Sequence, residues 1–445
     1  MPSNTRKKRK NSPVLLRRLC KHFGSDPADL PVVEQQFGLH ERPNLHLALA
    51  EILGELSRPS ELLGILPHQE HETPSLARLS REAVARGFEP GPVGYHDVPL
   101  PGGQHLACVK TGLYLIKAEE GPLALMVTMP RYVHPPHLLV EVMAGEREQA
   151  EKFLRLLQRR THHGQAYRGH VLSLKENCYG AVEITYHSLP PIRREEVILP
   201  EALMRRIECH TLSFTKHARR LREAGRHLKR GILLYGPPGT GKTLTAMYLV
   251  AQMPGRTVIL LTGQGVGSIE AACRLARLLE PATVILEDVD LIGTERQHQL
   301  IGANALLFEL LNQMDGLADD VDILFVLTTN RPDVLEPALA SRPGRIDQAI
   351  EVPTPDAECR RRLFELYSRG MRVEIADWDR LIERTAGVGG AFIRELLRKA
   401  TIYAAEEDGE SELTVRDRHI EEGLTDLLIA GGPLTKSLLG AANSN

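Results

Sequence analysis

The chain has 445 residues, of which 42% are hydrophobic and 25% are charged, a balance typical of a soluble protein with about two to four domains. Its 55 Lys and Arg residues and 57 Asp and Glu residues give a formal net charge of −2, which excludes a surface that binds nucleic acid over its whole extent. The six cysteines include no C-x-x-C pair, and no apolar run approaches the roughly 20 residues that span a bilayer. We therefore expect a cytoplasmic protein without a membrane anchor.

The first half of the chain predicts two accessory modules. A basic run at 6–10 belongs to a terminus that we expect to be disordered. Apolar residues then recur at helical spacing in 43–58 and 74–87. Residues 104–190 combine several strand patterns with one helix at 145–160, which indicates a small α+β domain. This domain contains no catalytic motif.

From residue 231 onward, short apolar segments alternate with helical ones. Apolar strands of this kind are typical of a parallel sheet that helices cover on both faces. After Pro355 the pattern becomes helical, and about four helices are expected to form a lid. The strands are predicted at 231–235, 257–261, 283–287, 322–330 and 349–353.

The strongest motif, GPPGTGKT at 236–243, lies between the first of these strands and a helix. It fits the pattern G-x-x-x-x-G-K-[ST]. Glycines let backbone N–H groups converge on a phosphate, and the helix N-terminus adds partial positive charge. We expect Lys242 to bind the β- and γ-phosphates and the hydroxyl of Thr243 to bind Mg²⁺. The predicted nucleotide-binding residues are Gly236, Pro237, Pro238, Gly239, Thr240, Gly241, Lys242, Thr243 and Leu244.

Polar side chains follow the next strands of the predicted sheet. The third strand ends in Glu287 and Asp288, and an acidic end on a buried strand implies a cation or a solvated crevice. Asn330 ends the fourth strand, where it could orient a water molecule near a γ-phosphate. Arg342 and Arg345 follow in a Pro-Gly turn and suit charge stabilisation of a transferring phosphoryl group.

Taken together, GPPGTGKT, ILEDVD, LLNQMDG, TTNRPDVLEPAL and SRPGRID resemble, in order and spacing, the AAA family of ATPases within the AAA+ class. The resemblance covers roughly 193–430. It implies a P-loop α/β sheet of strand order 5-1-4-3-2, a helical lid, and a ring, usually hexameric, with ATP and Mg²⁺ between subunits.

Carried over by position, the resemblance implies a role for each motif residue. The roles are Lys242 for the Walker A cation, Thr243 and Glu287 for the Mg²⁺ ligands, Asp288 for the group that polarises water, Asn330 for sensor 1, Arg342 and Arg345 for arginine-finger candidates, and Gly390 and Ala391 for the small-residue sensor-2 position.

Three features depart from the family pattern. The acidic pair reads Glu-Asp where most members have Asp-Glu, an order similar to that of the mitochondrial Rieske-protein translocase branch. PALASRPGRID has one residue more than the common PALxRPGR, so both Arg342 and Arg345 remain finger candidates. The segment 261–267 lacks the aromatic residue of protein-threading pore loops, and no H-E-x-x-H of a fused zinc protease is present.

The sequence therefore predicts Mg²⁺-dependent ATP hydrolysis by a homo-oligomeric ring that remodels a protein or complex chosen by its N-terminal modules. One alternative is a slow ATP-dependent switch or scaffold, which the shorter pore loop without an aromatic residue and the Glu-Asp order of the acidic pair favour. A nucleic-acid-associated ATPase is the other, motivated by the basic segments 6–10 and 219–230. The expected parts are a basic tail (1–12), a helical region (13–95), an α+β domain (96–192), the ATPase α/β subdomain (193–354), the lid (355–430) and a flexible tail (431–445).

Overall fold

The computed structural model describes residues 13–56, 59–69, 72–130, 133, 136–164, 166–176, 182–261, 269–290, 304–316, 321–333, 335, 345–408 and 413–427. The chain divides into two compact units, Met1–His187 and Ser188–Asn445. None of the helices among these residues is long and apolar enough to cross a membrane.

The first unit is built on a seven-stranded antiparallel sheet of order β1-β7-β6-β5-β2-β3, with β4 paired to β5. Two further strands of this unit, β8 and β9, pair antiparallel with each other. The strands are β1 Val32–Gly38, β2 Glu61–Pro67, β3 Phe88–Gly91, β4 Gly94–Pro99, β5 His105–Ala118, β6 Gly121–Thr128, β7 His137–Ala144, β8 Val171–Glu176 and β9 Val182–His187. The helices are α1 Val14–Phe23, α2 Arg42–Gly54, α3 Leu76–Leu79, α4 Glu82–Ala85 and α5 Arg147–His162.

Both faces of this sheet are buried. Side chains alternate between the faces along a strand, and β5 follows this rule: Leu113 and Leu115 join a cluster with α1 and α3, whereas Tyr114 and Ile116 join one with α2 and α5. The first unit is therefore a sheet between two helical layers.

The expectation of a helical region at 13–95 is wrong. The helix predicted at 43–58 is present as α2, but β1 to β4 also lie in this range and belong to the same unit as the expected α+β domain. The pairing of β1 with β7 joins residues about 100 positions apart in the chain. Such long-range pairing leaves no local periodicity that could predict it.

The second unit contains the predicted parallel sheet. Its five strands pair in the order β14-β10-β13-β12-β11, which is 5-1-4-3-2 along the chain. Every residue of β12 and β13 is buried, as expected for strands covered on both faces. The strands are β10 Arg230–Tyr235, β11 Thr257–Leu261, β12 Ala282–Leu286, β13 Ile323–Thr329 and β14 Gln348–Glu351. The helices before the lid are α6 Glu201–Glu208, α7 Phe214–Lys216, α8 Ala218–Glu223, α9 Lys242–Ala251, α10 Ile269–Leu278 and α11 Asn304–Asp315.

A buried arginine joins the amino ends of three neighbouring strands. Arg256 precedes β11 and donates 2.8 Å to Asp322 Oδ1, just before β13. It also donates 2.6 Å to the carbonyl of Ala282 and 3.2 Å to Thr283 Oγ1 on β12. Because both charged side chains are largely buried, this ion pair holds the edge of the sheet opposite the phosphate loop.

The lid has the four predicted helices. They pack around a cluster that includes the fully buried Phe364, Phe392 and Leu396. A small parallel pair of strands, β15 Arg372–Glu374 and β16 Thr414–Arg416, was not expected. The lid helices are α12 Ala357–Tyr367, α13 Trp378–Arg384, α14 Gly390–Asp408 and α15 Asp417–Thr425. The predicted tails at 1–12 and 431–445 and most of the pore-loop segment 261–267 lie outside the described residues.

Candidate functional site

The phosphate loop joins β10 to α9, and its backbone requires glycine. Gly236 has φ of +150°, and a Cβ there would lie 2.2 Å from the carbonyl oxygen of Val352. Gly239 and Gly241 also have positive φ, of +73° and +96°. Side chains are disfavoured in such conformations, so the glycines of the motif are fixed by the path of the chain.

Lys242 is the first residue of α9 and is only 5% exposed. Its Nζ donates to the carbonyls of Gly236 and Pro237, at 2.9 and 2.8 Å. Burial lowers the pKa of this ammonium, although the nearby Asp288 and Asp290 favour its charged form. A buried cation held by neutral carbonyl groups is well placed to exchange them for phosphate oxygens.

The next residue faces the acidic end of β12. Thr243 forms a side-chain hydrogen bond with Glu287. Burial, the largest effect, raises the pKa of Glu287, and the charge of Asp288 adds to it. Among the described residues, the buried Oε1 of Glu287 has no hydrogen-bond partner. A hydroxyl beside an unsatisfied carboxylate oxygen fits the oxygen ligands that Mg²⁺ prefers.

Asp288 is held in an unusual conformation beside Asn330. Its φ is +48°, in the left-handed region. Its backbone N–H donates 3.0 Å to Thr328 Oγ1, and Asn330 Nδ2 donates 3.1 Å to its Oδ1. Burial and then the charge of Asp290 raise the pKa of Asp288, against the effect of Lys242. The turn thus aims a carboxylate of raised proton affinity toward the phosphate loop.

Asp290 is the last residue of the ILEDVD motif, and its side chain holds the end of β13. Its side chain accepts 2.7 Å from Thr329 Oγ1 and 3.2 Å from the backbone N–H of Asn330, and it is only 8% exposed. These bonds fix the position of Asn330, which donates to Asp288. The sequence shows both acidic residues, but it does not show which contacts each of them makes.

The predicted nucleotide residues line a cavity of about 1200 Å³. The lid closes it on one side, because the N–H of Ala391 donates 3.2 Å to the carbonyl of Gly239. Gly389 also approaches this carbonyl, and a Cβ there would lie 2.9 Å from its oxygen. The predicted residues on the cavity wall are Pro238, Gly239, Thr240, Gly241, Lys242, Thr243, Leu244, Asp288, Asn330, Gly390 and Ala391.

Sequence reasoning missed a second wall of this cavity. Ile192 and residues 196–200 line it, as do Tyr367 and Arg394 of the lid. Buried Val197 and Leu199 flank Ile198, which packs against the lid cluster. The only signal was an apolar stretch, VILP, that ends just before α6.

Of the two arginine-finger candidates, Arg342 lies outside the described residues. Arg345 donates from Nε to Asp315 at the end of α11 and is about a quarter exposed. Arg345 is not one of the described residues that line the cavity. Gly236, Pro237 and Glu287 do not line it either, although Glu287 bonds with Thr243, which does.

Comparison with known proteins gives a consistent result. Residues 232–354 match the family described as ATPase family associated with various cellular activities (AAA). The ATP-dependent zinc metalloprotease FtsH 3 of Symbiobacterium thermophilum is 34% identical over 239 residues, which cover 51% of this chain and 37% of that protein. The proteasome-activating nucleotidase of Pyrococcus horikoshii is 31% identical over 236 residues, 50% of this chain and 57% of that protein. In both cases the match spans less than two thirds of the relative.

Proposed function

We propose that this protein hydrolyses ATP with Mg²⁺ in its 1200 Å³ cavity, since residues 232–354 match the AAA family of ATPases. The observation that carries the proposal is the arrangement at the ends of β12 and β13. Glu287 bonds with Thr243 and keeps one unsatisfied oxygen, whereas Asp288 is held by Asn330 and interacts with the charge of Lys242. The two neighbouring carboxylates thus have different partners, which suits one to a metal ion and the other to the role of a base.

In this proposal each side chain has one task. Lys242 exchanges its two carbonyl partners for phosphate oxygens of ATP, and Thr243 and Glu287 hold Mg²⁺. Bound Mg²⁺ would neutralise charge on the phosphate oxygens. Asp288 accepts the proton of the attacking water, and Asn330 keeps its carboxylate in place. The raised pKa of Asp288 makes it a better proton acceptor than an exposed aspartate.

We further propose that the protein acts as a homo-oligomeric ring, of six subunits by family resemblance, in the cytoplasm. An arginine that acts on the nucleotide of a neighbouring subunit does not line the cavity of its own chain, and Arg345 does not line it. The relatives named as a metalloprotease and a proteasome-activating nucleotidase support work on a protein substrate. The first unit, with its own sheet and two cores, is the part that would select this substrate.

The alternative of a slow switch or scaffold is favoured by the shorter aspartate at the base position. Nucleic acid as the partner has a weaker basis, the exposed Lys216, Arg220 and Arg226 around α8. A protein substrate that accelerates hydrolysis supports remodelling, whereas acceleration by DNA or RNA supports the second alternative.

The direct test is phosphate release from ATP per subunit over a range of protein concentrations. We expect a Mg²⁺-dependent rate that rises with concentration and then saturates, because a neighbour completes each site. Lys242→Ala is expected to abolish nucleotide binding, whereas the exposed Lys216→Ala is the matched control. Nucleotide binding without turnover would favour the switch, and absence of binding in the unaltered protein would overturn the proposal.

A further inference from the structure

The wall segment, residues 192–200, is attached to the same helix that begins with the phosphate-binding lysine. ATP extends beyond its phosphates, so the rest of the nucleotide must contact cavity-lining residues outside the phosphate loop. Residues 192 and 196–200 of the wall segment are among these lining residues. The distance between the wall segment and α9 therefore decides whether both ends of the nucleotide are contacted at once.

One carboxylate joins three elements around this cavity. Glu208, at the end of α6, accepts 2.7 Å from the hydroxyl of Tyr248 on α9. The same Oε1 accepts 2.9 Å from Arg194 Nε in the wall segment, and Arg194 Nη2 donates 3.3 Å to Oε2. The bidentate contact with Arg194 fixes the orientation of the carboxylate as well as its distance.

A second bond joins the same elements nearby. Gln252, just after α9, donates 3.3 Å from Nε2 to the carbonyl of Ile192. Arg194 also donates 3.0 Å to Glu201 in the first turn of α6. The wall segment is thus attached to α9 and α6 at separate points, which limits rotation as well as translation.

The network is charged and partly buried. Tyr248 is 3% exposed, whereas the side chains of Glu208 and Arg194 are 20% and 39% exposed. Burial alone would raise the pKa of Glu208, but the hydrogen bonds from Arg194 and Tyr248 hold it below its usual value. Glu208 therefore stays ionised near neutral pH. Hydrogen bonds to an ionised group are stronger than those between neutral groups.

We propose that Arg194, Glu208 and Tyr248 are positioning residues that set the affinity for ATP by holding the wall segment at a fixed distance from α9. Lys242 and Thr243 stand at the start of α9, and Tyr248 lies in its second half. Because α9 carries the phosphate loop at its start and Tyr248 in its second half, it fixes the distance between the phosphate loop and the wall segment. Binding to a pre-arranged cavity avoids the entropy cost of ordering the wall segment.

This inference rests on the proposed function, and Y248F tests it in the full-length protein. Phenylalanine keeps the buried ring and removes only the hydroxyl. We expect Kd for ADP and KM for ATP to rise about three- to tenfold. This is only part of the energy of one hydrogen bond to a charged group, because the bond from Gln252 still holds the wall segment. The kcat should change less than about twofold, because no group near the reacting phosphate is altered.

A matched control is available in the first unit. The hydroxyl of Tyr186 donates 2.7 Å to the carbonyl of Ala166, so Y186F removes a bond of equal length at a residue that is not among the described cavity-lining residues. It should leave Kd and KM unchanged. If Y248F and Y186F both leave nucleotide affinity unchanged, the inference is wrong while the proposed function stands. If the unaltered protein binds neither ADP nor ATP in calorimetry, both fail.

A double-variant experiment checks that the three residues act as one unit. R194Q and Y248F each remove a donor to the same carboxylate. The affinity loss of the combined variant should be smaller than the product of the two single losses, because either change already breaks the link from the wall segment through Glu208 to α9. Independent, multiplicative losses would contradict a shared positioning role.

Discussion

Asp288→Asn is the sharpest test of the proposed chemistry, because it removes a proton acceptor and little else. Asp288 has φ of +48°, a conformation that asparagine tolerates and that costs most other residues about 1–2 kcal/mol. The new amide oxygen can still accept from Asn330, now 3.1 Å away, and the backbone bond to Thr328 is untouched. The variant should fold and bind nucleotide normally.

The expected loss follows from the role of a general base. Such a group contributes about 10²–10⁴-fold to a rate, which corresponds to about 3–5 kcal/mol in the activation free energy. We expect kcat of Asp288→Asn to fall within this range. Affinity for ATP should stay equal or increase, because the substitution removes a negative charge that lies near the triphosphate.

The assay is single-turnover hydrolysis with Glu287→Gln as the matched control. Glu287 bonds to Thr243 and has an unsatisfied oxygen among the described residues, so its substitution should raise the Mg²⁺ concentration needed for half-maximal rate. High Mg²⁺ should restore much of that loss and none of the loss in Asp288→Asn. If Glu287→Gln is inactive at saturating Mg²⁺ while Asp288→Asn retains turnover within about tenfold, the two roles are reversed.

Two further predictions concern buried charges of the second unit. In the unaltered protein, kcat should decline as the pH falls through the raised pKa of Asp288. Asp290→Asn removes a charge that raises this pKa, so the decline should move to lower pH in a pH–rate profile. An unchanged profile would contradict the coupling between the two carboxylates. Asp322→Ala leaves Arg256 buried and unpaired and should lower the free energy of unfolding by about 3–5 kcal/mol in a denaturant titration; a loss below about 1 kcal/mol would show that the pair is replaceable.

The parallel sheet and its phosphate loop could be predicted because their signals are local. Strands β10 to β13 are short, mostly apolar runs, and the loop between β10 and α9 needs glycine at several positions for backbone reasons alone. The strands and the helix predicted in 104–190 are also present, but the part of the first unit before residue 96 could not be read in this way. Its strand β1 pairs with β7 across about 100 residues, and the local sequence of β1 does not contain the partner that makes it a strand.

The phosphate loop and the wall segment differ in how well the sequence predicts them, and the physical reason is the same. A phosphate is recognised by backbone N–H groups, a cation and a hydroxyl, so few residue types suit positions such as Gly241, Lys242 and Thr243. The far wall is held by pairwise side-chain bonds, such as that of Tyr248 to Glu208, which many other residue pairs could supply. In sequence Tyr248 is simply one more apolar position of α9. Chemistry that depends on the backbone is therefore visible in one sequence, whereas positioning by paired side chains becomes visible only when the chain is folded.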